Sequence, residues 1–548
     1  MENRRLILFM VLAFSLFMLW DGWLKHNQPP PPPAAEGQAA APSASAPAPT
    51  PSGSLAAPTA PAAGAPGASA APRLVVRTDT MVAEISAQGG DLVRLALAQH
   101  KDSEHGDQNF VLFDDGAKHL YAAQSGLIGA NLPTHKTLFA LPAGEQVLQP
   151  GQDSLTVRLQ APAENGVAVT KVFTFHRGSY LIDVTEEIAN KGSAPVTAHA
   201  YFQLTRDGKP AEAVKAFGVH TFTGPAIYTE ADKYQKIKFE DIGDGKAKHA
   251  KEADNGWVAM VQHYFVSAWL PQEGVQREYY TRKVGDDLYS AGVIVPVAAV
   301  EPGQQVSASM RLYAGPQEQD KLVGIATGLD LVVDYGWLTV IAAPLFWVLQ
   351  WFHKLTGNWG WAIILVTIAI KAVFFPLSAA SYKSMAKMRT LGPRLQKLKE
   401  RYGDDKMKMQ QEMMEIYKRE KVNPLGGCLP ILVQIPVFIA LYWVLLGSVE
   451  MRHAPWLGWI QDLSVKDPYY VLPIIMGVTM LIQTKLNPAP PDPIQAKVML
   501  AMPIIFTVMF LWFPAGLVLY WVVNNSLSIA QQWQITRMIE RGGKASAG

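Results

Sequence analysis

Five long apolar stretches dominate the C-terminal part of this 548-residue chain. A helix that spans a bilayer needs about 20 predominantly apolar residues, and each stretch is near that length. Charged residues make up 17% of the chain, against roughly 25% in an ordinary soluble protein. The sequence therefore predicts a polytopic α-helical membrane protein. The stretches run from Trp359 to Leu377, Cys428 to Gly447, Tyr470 to Leu486, Val498 to Phe513 and Ala515 to Trp533.

The N-terminal 25 residues also have the composition of a membrane segment. Arg4 and Arg5 precede an apolar run that ends at Trp20. A cleaved signal peptide is one interpretation, because small residues follow the run. The bulky side chains of Trp20 and Trp23 favour the other, an uncleaved anchor whose N-terminus stays in the cytoplasm. Residues 26–72 are rich in Pro, Ala, Ser and Gly, which predicts an extended linker without a core.

Residues 73–330 show the pattern of an all-β domain. Short runs with period-two alternation, such as Val172 to Phe175 and Ala198 to Leu204, are separated by turn residues such as those at 190–192. This spacing predicts a large antiparallel β-sandwich outside the cytoplasm. Trp257 and Trp269 lie in strand-like apolar runs, so we expect them in the core rather than in a ligand site.

Positive charge determines the predicted topology. Twelve lysines and arginines lie between Tyr382 and Val422, and such a cluster stays in the cytoplasm. The apolar, aromatic segment from Tyr335 to Thr356 also contains Pro344 and Lys354, and if it crossed the membrane, the basic cluster would be exported. We therefore expect residues 331–356 to form an amphipathic helix in the outer interface. Together with the anchor, residues 357–540 then give six transmembrane helices, with both termini and a short tail at 541–548 in the cytoplasm.

The basic segment at 379–425 reads as a helical hairpin. Leu391, Leu395, Leu398 and Tyr402 follow a helical spacing, Asp405 is a candidate N-cap, and the stripe resumes at Met409, Met413 and Ile416. The two stripes could pack against each other. The segment is also rich in methionine, which suits adaptable contact with varied apolar partners. Both interpretations stay open at this point.

No enzyme signature is present in the sequence. Phosphate-binding loops, nucleophile elbows and paired metal-binding histidines are all missing, and the single cysteine, Cys428, excludes a disulfide framework. A net charge of +2 does not indicate nucleic-acid binding. We therefore expect neither covalent catalysis nor a cofactor or metal.

Lys371 is the informative polar residue, because it lies inside the first of the five stretches. A lysine at mid-bilayer costs roughly 2.5–3.5 kcal/mol on insertion scales, so it needs water or a partner. None of the five stretches contains Asp or Glu. At helical spacing, Thr367 and Ser378 share its face, which forms a polar stripe towards the cytoplasmic end.

A second polar stripe lies on the last stretch. Asn524, Ser528 and Gln531 share one face, with Tyr520 and Trp521 nearby, and other stretches carry Gln434 and Thr479. Hydrogen bonds between helices, or snorkelling of Lys371, would explain such residues without a functional site. A water-filled groove open to the cytoplasm is the alternative that we favour. Its expected residues are Lys371, Thr367, Gln434, Tyr520, Trp521, Asn524 and Ser528.

Several ordered strings resemble the YidC/Oxa/Alb family of membrane protein insertases, in its Gram-negative type. They are YKSMAKMR from Tyr382, GDDK from Gly403, EKVNPLGGC from Glu420, DPYY from Asp467, FLWFPAGLVLYW from Phe510 and, in the β-domain, GWVAMVQHYFVSAWLP from Gly256. The resemblance covers the five stretches strongly and the β-domain more weakly. It implies that the β-domain is a periplasmic supersandwich of the galactose-mutarotase type.

The resemblance also implies a function and its partners. Members of this family insert and fold helices in the inner membrane, alone or with the Sec translocon, and take nascent membrane proteins, ribosomes and the lipid bilayer as partners. Lys371 matches a basic residue, commonly arginine, in the family's hydrophilic groove, and Trp521 stands where many relatives have tyrosine. Clients are expected to slide along Ile435, Phe438 and Met509.

Two other function classes remain alternatives on the residues alone. A secondary transporter or channel would show paired ionisable residues at the midplane or an inverted repeat, and the sequence shows neither. An anchored periplasmic carbohydrate-active enzyme is the other. A sugar-binding screen of the β-domain would test it.

Overall fold

The computed structural model describes residues 71–102, 106–116, 119–209, 221–402, 405–420, 429–487 and 493–545. The predicted anchor at 1–25 lies outside these residues, as does the predicted linker except for its last two positions. The described chain consists of an N-terminal β-domain followed by a helical region.

The β-domain contains strands over nearly its whole length, as the alternating pattern predicts. The strands are β1 (Arg73–Arg77), β2 (Met81–Ser86), β3 (Leu92–Lys101), β4 (Asn109–Phe113), β5 (Tyr121–Ile128), β6 (Gln146–Val147), β7 (Ser154–Gln160), β8 (Val167–His176), β9 (Leu181–Asn190), β10 (His199–Asp207), β11 (Gly224–Thr229), β12 (Lys233–Lys236), β13 (Glu252–Ala253), β14 (Trp257–Val261), β15 (Phe265–Leu270), β16 (Arg277–Gly285), β17 (Leu288–Pro296) and β18 (Gln305–Pro316). A short helix, α1 (Phe239–Gly243), lies between β12 and β13.

These strands form two large sheets. One has the order β13-β16-β17-β10-β5-β3-β2-β1-β6, with β4 paired to β3, and the other has the order β12-β11-β14-β15-β18-β9-β8-β7. Apart from the parallel pair of β1 and β6, neighbouring strands are antiparallel. Side chains from both sheets join one apolar core. The predicted β-sandwich is thus confirmed.

The core of the β-domain includes both tryptophans that the sequence placed there. Trp257 and Trp269 are each 1% exposed. The Trp269 ring packs against Phe202 of the opposite sheet, with 5.1 Å between centroids. Aromatic side chains bury large areas and dominate core energetics. The expectation that these residues are structural is therefore confirmed.

The helical region begins after a short helix, α2 (Gln319–Ile325), and two 3-10 turns, Leu329–Val332 and Gly336–Leu338. The helices that follow are α3 (Thr339–Thr356), α4 (Trp359–Val373), α5 (Phe375–Thr390), α6 (Gly392–Tyr402), α7 (Lys406–Arg419), α8 (Leu429–Gly447), α9 (Val471–Leu486), α10 (Pro493–Phe510) and α11 (Ala515–Ala545).

Three predicted boundaries in this region need correction. The helix expected at 331–356 begins at Thr339, because Gly336 has a φ of 59° and interrupts the backbone before it. The apolar stretch expected to run from Trp359 to Leu377 is divided between α4 and α5. The tail expected at 541–548 continues the last helix as far as Ala545.

Length and hydropathy identify a bent pair of helices as a candidate for crossing a membrane. Among the described residues, no helix by itself is long and apolar enough to cross a bilayer. Helices α4 and α5 meet the criterion together, as the bent pair Trp359–Val373 and Phe375–Met388. Shorter apolar helices lie at Gln434–Gly447, Val471–Leu486 and Ala496–Phe510.

Candidate functional site

Lys371 lies in the last turn of α4, beside a sharp change in chain direction. The axes of α4 and α5 differ by 67°. Pro376, the second residue of α5, has no N–H to donate to the carbonyl of Ala372, and its ring would clash there in a continuous helix. Lys371 therefore lies at the end of α4, just before the bend, and not inside one continuous helix from Trp359 to Leu377.

The side chain of Lys371 is buried and contacts the last helix. Its Nζ donates a hydrogen bond to Ser528 Oγ at 2.7 Å, and only 5% of the residue is exposed. Ser528 Oγ in turn donates to the carbonyl of Asn524 at 2.8 Å. Among the described residues, no ion pair neutralises Lys371. The two polar stripes predicted on separate helices thus meet at this contact.

Thr367 lies one turn before Lys371 and is fully buried. Its hydroxyl donates to the carbonyl of Ile363 at 2.6 Å, so its hydrogen is used within α4. Tyr382 of α5, which helical spacing alone did not indicate as a site residue, is also buried and lies near Ser528. Side chains of α4, α5 and α11 therefore converge on Ser528.

An aromatic cluster lies next to these polar contacts and joins α8 with α11. Phe438 stacks on Tyr520, with 6.0 Å between ring centroids, and meets Trp521 edge to face at 4.9 Å. Phe510, at the end of α10, contacts the other side of Trp521 at 5.7 Å. The buried Trp521 Nε1 has no hydrogen-bond acceptor among the described atoms. The tryptophan thus fills space between three helices.

The remaining predicted site residues lie around this cluster. Gln434 is one turn before Phe438 on α8 and is half-buried, as are Asn524 on α11 and Met509 on α10. Ile435 is 44% exposed on α8. Phe438 is half-buried by the aromatic rings described above. Ile435 is therefore the most accessible of the three expected sliding residues.

Two further polar residues hold α11 against α9. Asn525 Nδ2 donates to Thr479 Oγ1 at 3.3 Å, and Gln532 Nε2 donates to the carbonyl of Leu486 at 3.2 Å. Both side chains are buried. Their separation of seven residues, two helical turns, places them on one face and could have identified them from the sequence. Asn525 and Gln532 therefore form hydrogen bonds between helices, which is the explanation of the polar residues that needs no functional site.

The basic hairpin is formed by α6 and α7. Leu391 and Tyr417 form a small buried cluster with Met388, Leu395, Met413 and Ile416. Asp405 caps α7 by accepting a hydrogen bond from the Lys408 backbone N–H at 3.1 Å, as predicted. Met407 is 69% exposed and Met414 is 43% exposed. The two predicted stripes therefore pack against each other, and two methionines outside them remain accessible.

The described residues contain no cluster of His, Cys, Asp or Glu that could hold a metal ion. Two cavities are described, one in the β-domain and one between it and the end of α8, and Lys371 lines neither. Chemically, the arrangement around Lys371 offers a positive charge and hydroxyl groups within an apolar helix bundle. Such a site can attract negative charge and water without any covalent step.

Comparison with known proteins covers almost the entire chain. Residues 73–348 match the family described as YidC periplasmic domain, and residues 351–542 match 60Kd inner membrane protein. The membrane protein insertase YidC of Aromatoleum aromaticum is 71% identical over 98% of both chains. That of Dechloromonas aromatica is 62% identical over 100% of this chain and 99% of its own.

A solved structure described as an active YidC insertase with its first transmembrane domain resolved also aligns, at 19% sequence identity and a TM-score of 0.40. The alignment covers 83% of this chain and 91% of that one. The assignment itself depends on the sequence matches, which extend across the β-domain and the helical region alike. This chain belongs to the YidC family of inner-membrane protein insertases, with a large periplasmic β-sandwich domain and a C-terminal helical membrane region.

Proposed function

We propose that this chain inserts and folds helical proteins in the inner membrane, through a hydrophilic groove open to the cytoplasm. The observation that carries the proposal is Lys371, a buried cation that donates a hydrogen bond to the neutral hydroxyl of Ser528. Hydroxyl groups ease the burial of a charge but do not neutralise it. A client segment with negative charge would neutralise Lys371.

The groove is expected between α4, α8 and α11. Lys371 and Thr367 form its first wall, Ser528 and Asn524 its second, and Gln434 its third. Tyr520, Trp521 and Phe438 would close its extracytoplasmic end, and the packing of their rings against one another supports this role. Client helices would leave past Ile435 and Met509 into lipid.

Burial of the client's apolar helix provides the driving free energy in this proposal. Transfer of apolar surface from water yields roughly 25 cal/mol per Å², so neither a nucleotide nor a covalent intermediate is needed. The groove only lowers the barrier for the polar end of the client. The partners would be nascent membrane proteins, the surrounding lipid, the Sec translocon and the ribosome. The translocon and the ribosome would deliver clients that are still being synthesised.

The proposed topology has six transmembrane helices. They are the N-terminal anchor, the bent pair of α4 and α5, α8, α9, α10 and α11, with α3 in the outer interface and both termini in the cytoplasm. Helix α3 exposes Trp347, Trp351 and Leu355, which suits a helix that lies among lipid headgroups. The positive-inside rule keeps the hairpin of α6 and α7 in the cytoplasm. We propose 73–330 as the periplasmic domain and 357–540 as the insertase core.

Reconstitution tests this proposal directly. The full chain is incorporated into liposomes, and a single-span client with a short acidic tail is synthesised in their presence. Protease protection of the tail then measures insertion. We expect insertion well above that of empty liposomes and without added nucleotide beyond the needs of translation. Equal protection in both preparations would contradict the proposal.

A further inference from the structure

The loop after α8 forms a joint between the β-domain and the helical region. We use the word joint for residues 448–456 and the surfaces that they contact. The guanidinium of Arg452 lies over the rings of Phe110 and Phe265, at 5.1 and 5.3 Å. Trp456, at the other end, packs on Gly360 in the first turn of α4. The joint therefore connects the β-domain to the helix that carries Lys371.

Glu450 lies at the centre of the joint, where it also reaches α2. The Gln319 backbone N–H lies near its carboxylate. The side chain of Gln319 donates a hydrogen bond to Tyr335 Oη. The second carboxylate oxygen of Glu450, Oε2, is shielded from solvent and has no hydrogen-bond partner among the described atoms. A charge on that oxygen would be neither hydrated nor paired.

The surroundings of Glu450 oppose its ionisation. Burial, with Glu318 and Asp320 adding negative charge, raises its pKa from 4.5 to about 7. The nearby lysines are already engaged, since Lys321 pairs with Glu318 at 2.7 Å and Lys354 lies 3.7 Å from Asp320. Glu450 thus carries a proton in the docked arrangement under conditions in which an exposed glutamate would be ionised.

Histidines also face the joint, and their titration must be distinguished from that of Glu450. Burial, together with Arg452, lowers the pKa of His100 to about 4 and that of His263 to about 3, so both stay uncharged above pH 5. His453 is different, because its hydrogen bond with Asp462 raises its pKa above 6.5. It also contacts the carbonyl of Lys101 at 3.2 Å. The charge on His453 therefore changes above pH 6.5, whereas ionisation of Glu450 begins to weaken docking near pH 4.5.

We propose that Glu450 makes the joint a proton-dependent latch, which holds the β-domain firmly on α8 and its loop when Glu450 is protonated and loosens when it ionises. Because Glu450 has a higher pKa when docked than when exposed, docking is strongest below about pH 4.5. The equilibrium constant for docking falls between about pH 4.5 and 7, by up to about tenfold per pH unit, and is constant above about pH 7. Periplasmic acidity would thereby set how tightly the β-domain restrains α4 and α8.

Hydrogen exchange of the full chain in lipid nanodiscs tests the latch. Amide protection of residues 319–325 is measured at about pH 5, 6.5 and 8, with labelling times scaled for the intrinsic exchange rate. The wild type should lose protection mainly between pH 5 and 6.5. Glu450→Gln keeps the shape of the protonated side chain, so its protection should not change over that interval. His453→Gln should retain the wild-type loss between pH 5 and 6.5.

Two results would overturn the proposal: a wild type whose protection is constant with pH, and an equal loss in wild type and Glu450→Gln. If His453→Gln loses the response and Glu450→Gln keeps it, the response belongs to His453, and the latch is refuted. If Glu450→Gln does not fold, Glu318→Gln provides the second variant. Removal of that neighbouring charge should reduce the amplitude of the response, and an unchanged amplitude would count against Glu450.

Discussion

At the scale of the residue, Lys371 combines burial with an unneutralised charge. It donates a hydrogen bond to Ser528, whose hydroxyl in turn donates to the carbonyl of Asn524. Lysine is a compact point charge on a flexible stem, so it needs no fixed planar partner. The side chain can therefore leave Ser528 and follow a client's negative charge without breaking an ion pair among the described residues.

Substitution of Lys371 should show that charge matters more than shape. Insertion of one client is compared with acidic and neutralised tails, by protease protection, in each variant. We expect Lys371→Arg to stay within about twofold of wild type for both tails, because the charge is kept. Lys371→Glu should reverse the preference between tails, and Lys371→Leu should impair mainly the acidic one. The same tail preference in all variants would support simple snorkelling.

Gly360 offers a stability test of the contact between α4 and the joint. A Cβ at this position would lie 2.1 Å from the ring of Trp456, so either the loop or α4 must move. We expect Gly360→Ala to lower the free energy of unfolding by about 1–3 kcal/mol, as overpacked cores do. Gly392→Ala is the matched control, because a Cβ there meets nothing within 4 Å. Equal thermal stability of the two variants in detergent would show that the contact is unimportant.

The sequence identified many individual residues but few of their partners. The polar stripes of Lys371 and Ser528 followed from helical spacing, whereas their meeting depended on how α4 packs against α11. Lys171 and Glu186 have no sequence signal that indicates their pairing. They face each other across β8 and β9 and lie 3.4 Å apart in the core. Alternation predicts which face a strand residue occupies, but not that two inward charges will neutralise each other.

At the scale of the element, the break between α4 and α5 shows a limit of periodicity. Hydrophobicity continues past Val373, so the pattern predicts one helix as far as Leu377. Pro376 removes a backbone donor and directs α5 away by 67°. The hairpin was better predicted, because its signals are local. They are the Asp405 cap and the apolar stripes that pack around Leu391 and Tyr417.

Topology is the prediction that belongs to this scale. Reporter fusions at Leu398 in α6 and at Gly192 after β9 should report the cytoplasm and the periplasm, respectively. The reason is the concentration of lysine and arginine around α6 and α7. A fusion that keeps the chain as far as Leu398 is compared with one truncated before α4. A periplasmic signal at Leu398 would exclude the six-helix arrangement.

At the scale of the whole molecule, the β-domain and the helical region meet at the joint and around the cavity at the end of α8. The proposed groove lies within the helices and includes no β-domain residue. A domain usually has a core of its own and can fold alone. We therefore expect the helical region to retain its activity without most of the β-domain, provided that α2 and the partners of Glu450 remain.

Deletion of residues 73–316 tests this expectation and leaves Gln319 in place. Insertion by the shortened chain should remain within about twofold of wild type, since the retained helices pack against each other. The amount of each protein in the membrane is measured alongside, so that poor expression is not mistaken for poor activity. Complete loss of insertion at a normal membrane level would mean that the β-domain takes part in the reaction.

The central claim is that clients pass Lys371 on their way into lipid. A photoreactive amino acid at position 371 is therefore crosslinked to nascent chains of increasing length, with position 340, on the exposed side of α3, as the control. We predict crosslinks from position 371 that appear when the client's first apolar segment leaves the ribosome and disappear once it is integrated. A nascent chain that inserts normally but never crosslinks to position 371 would contradict the account.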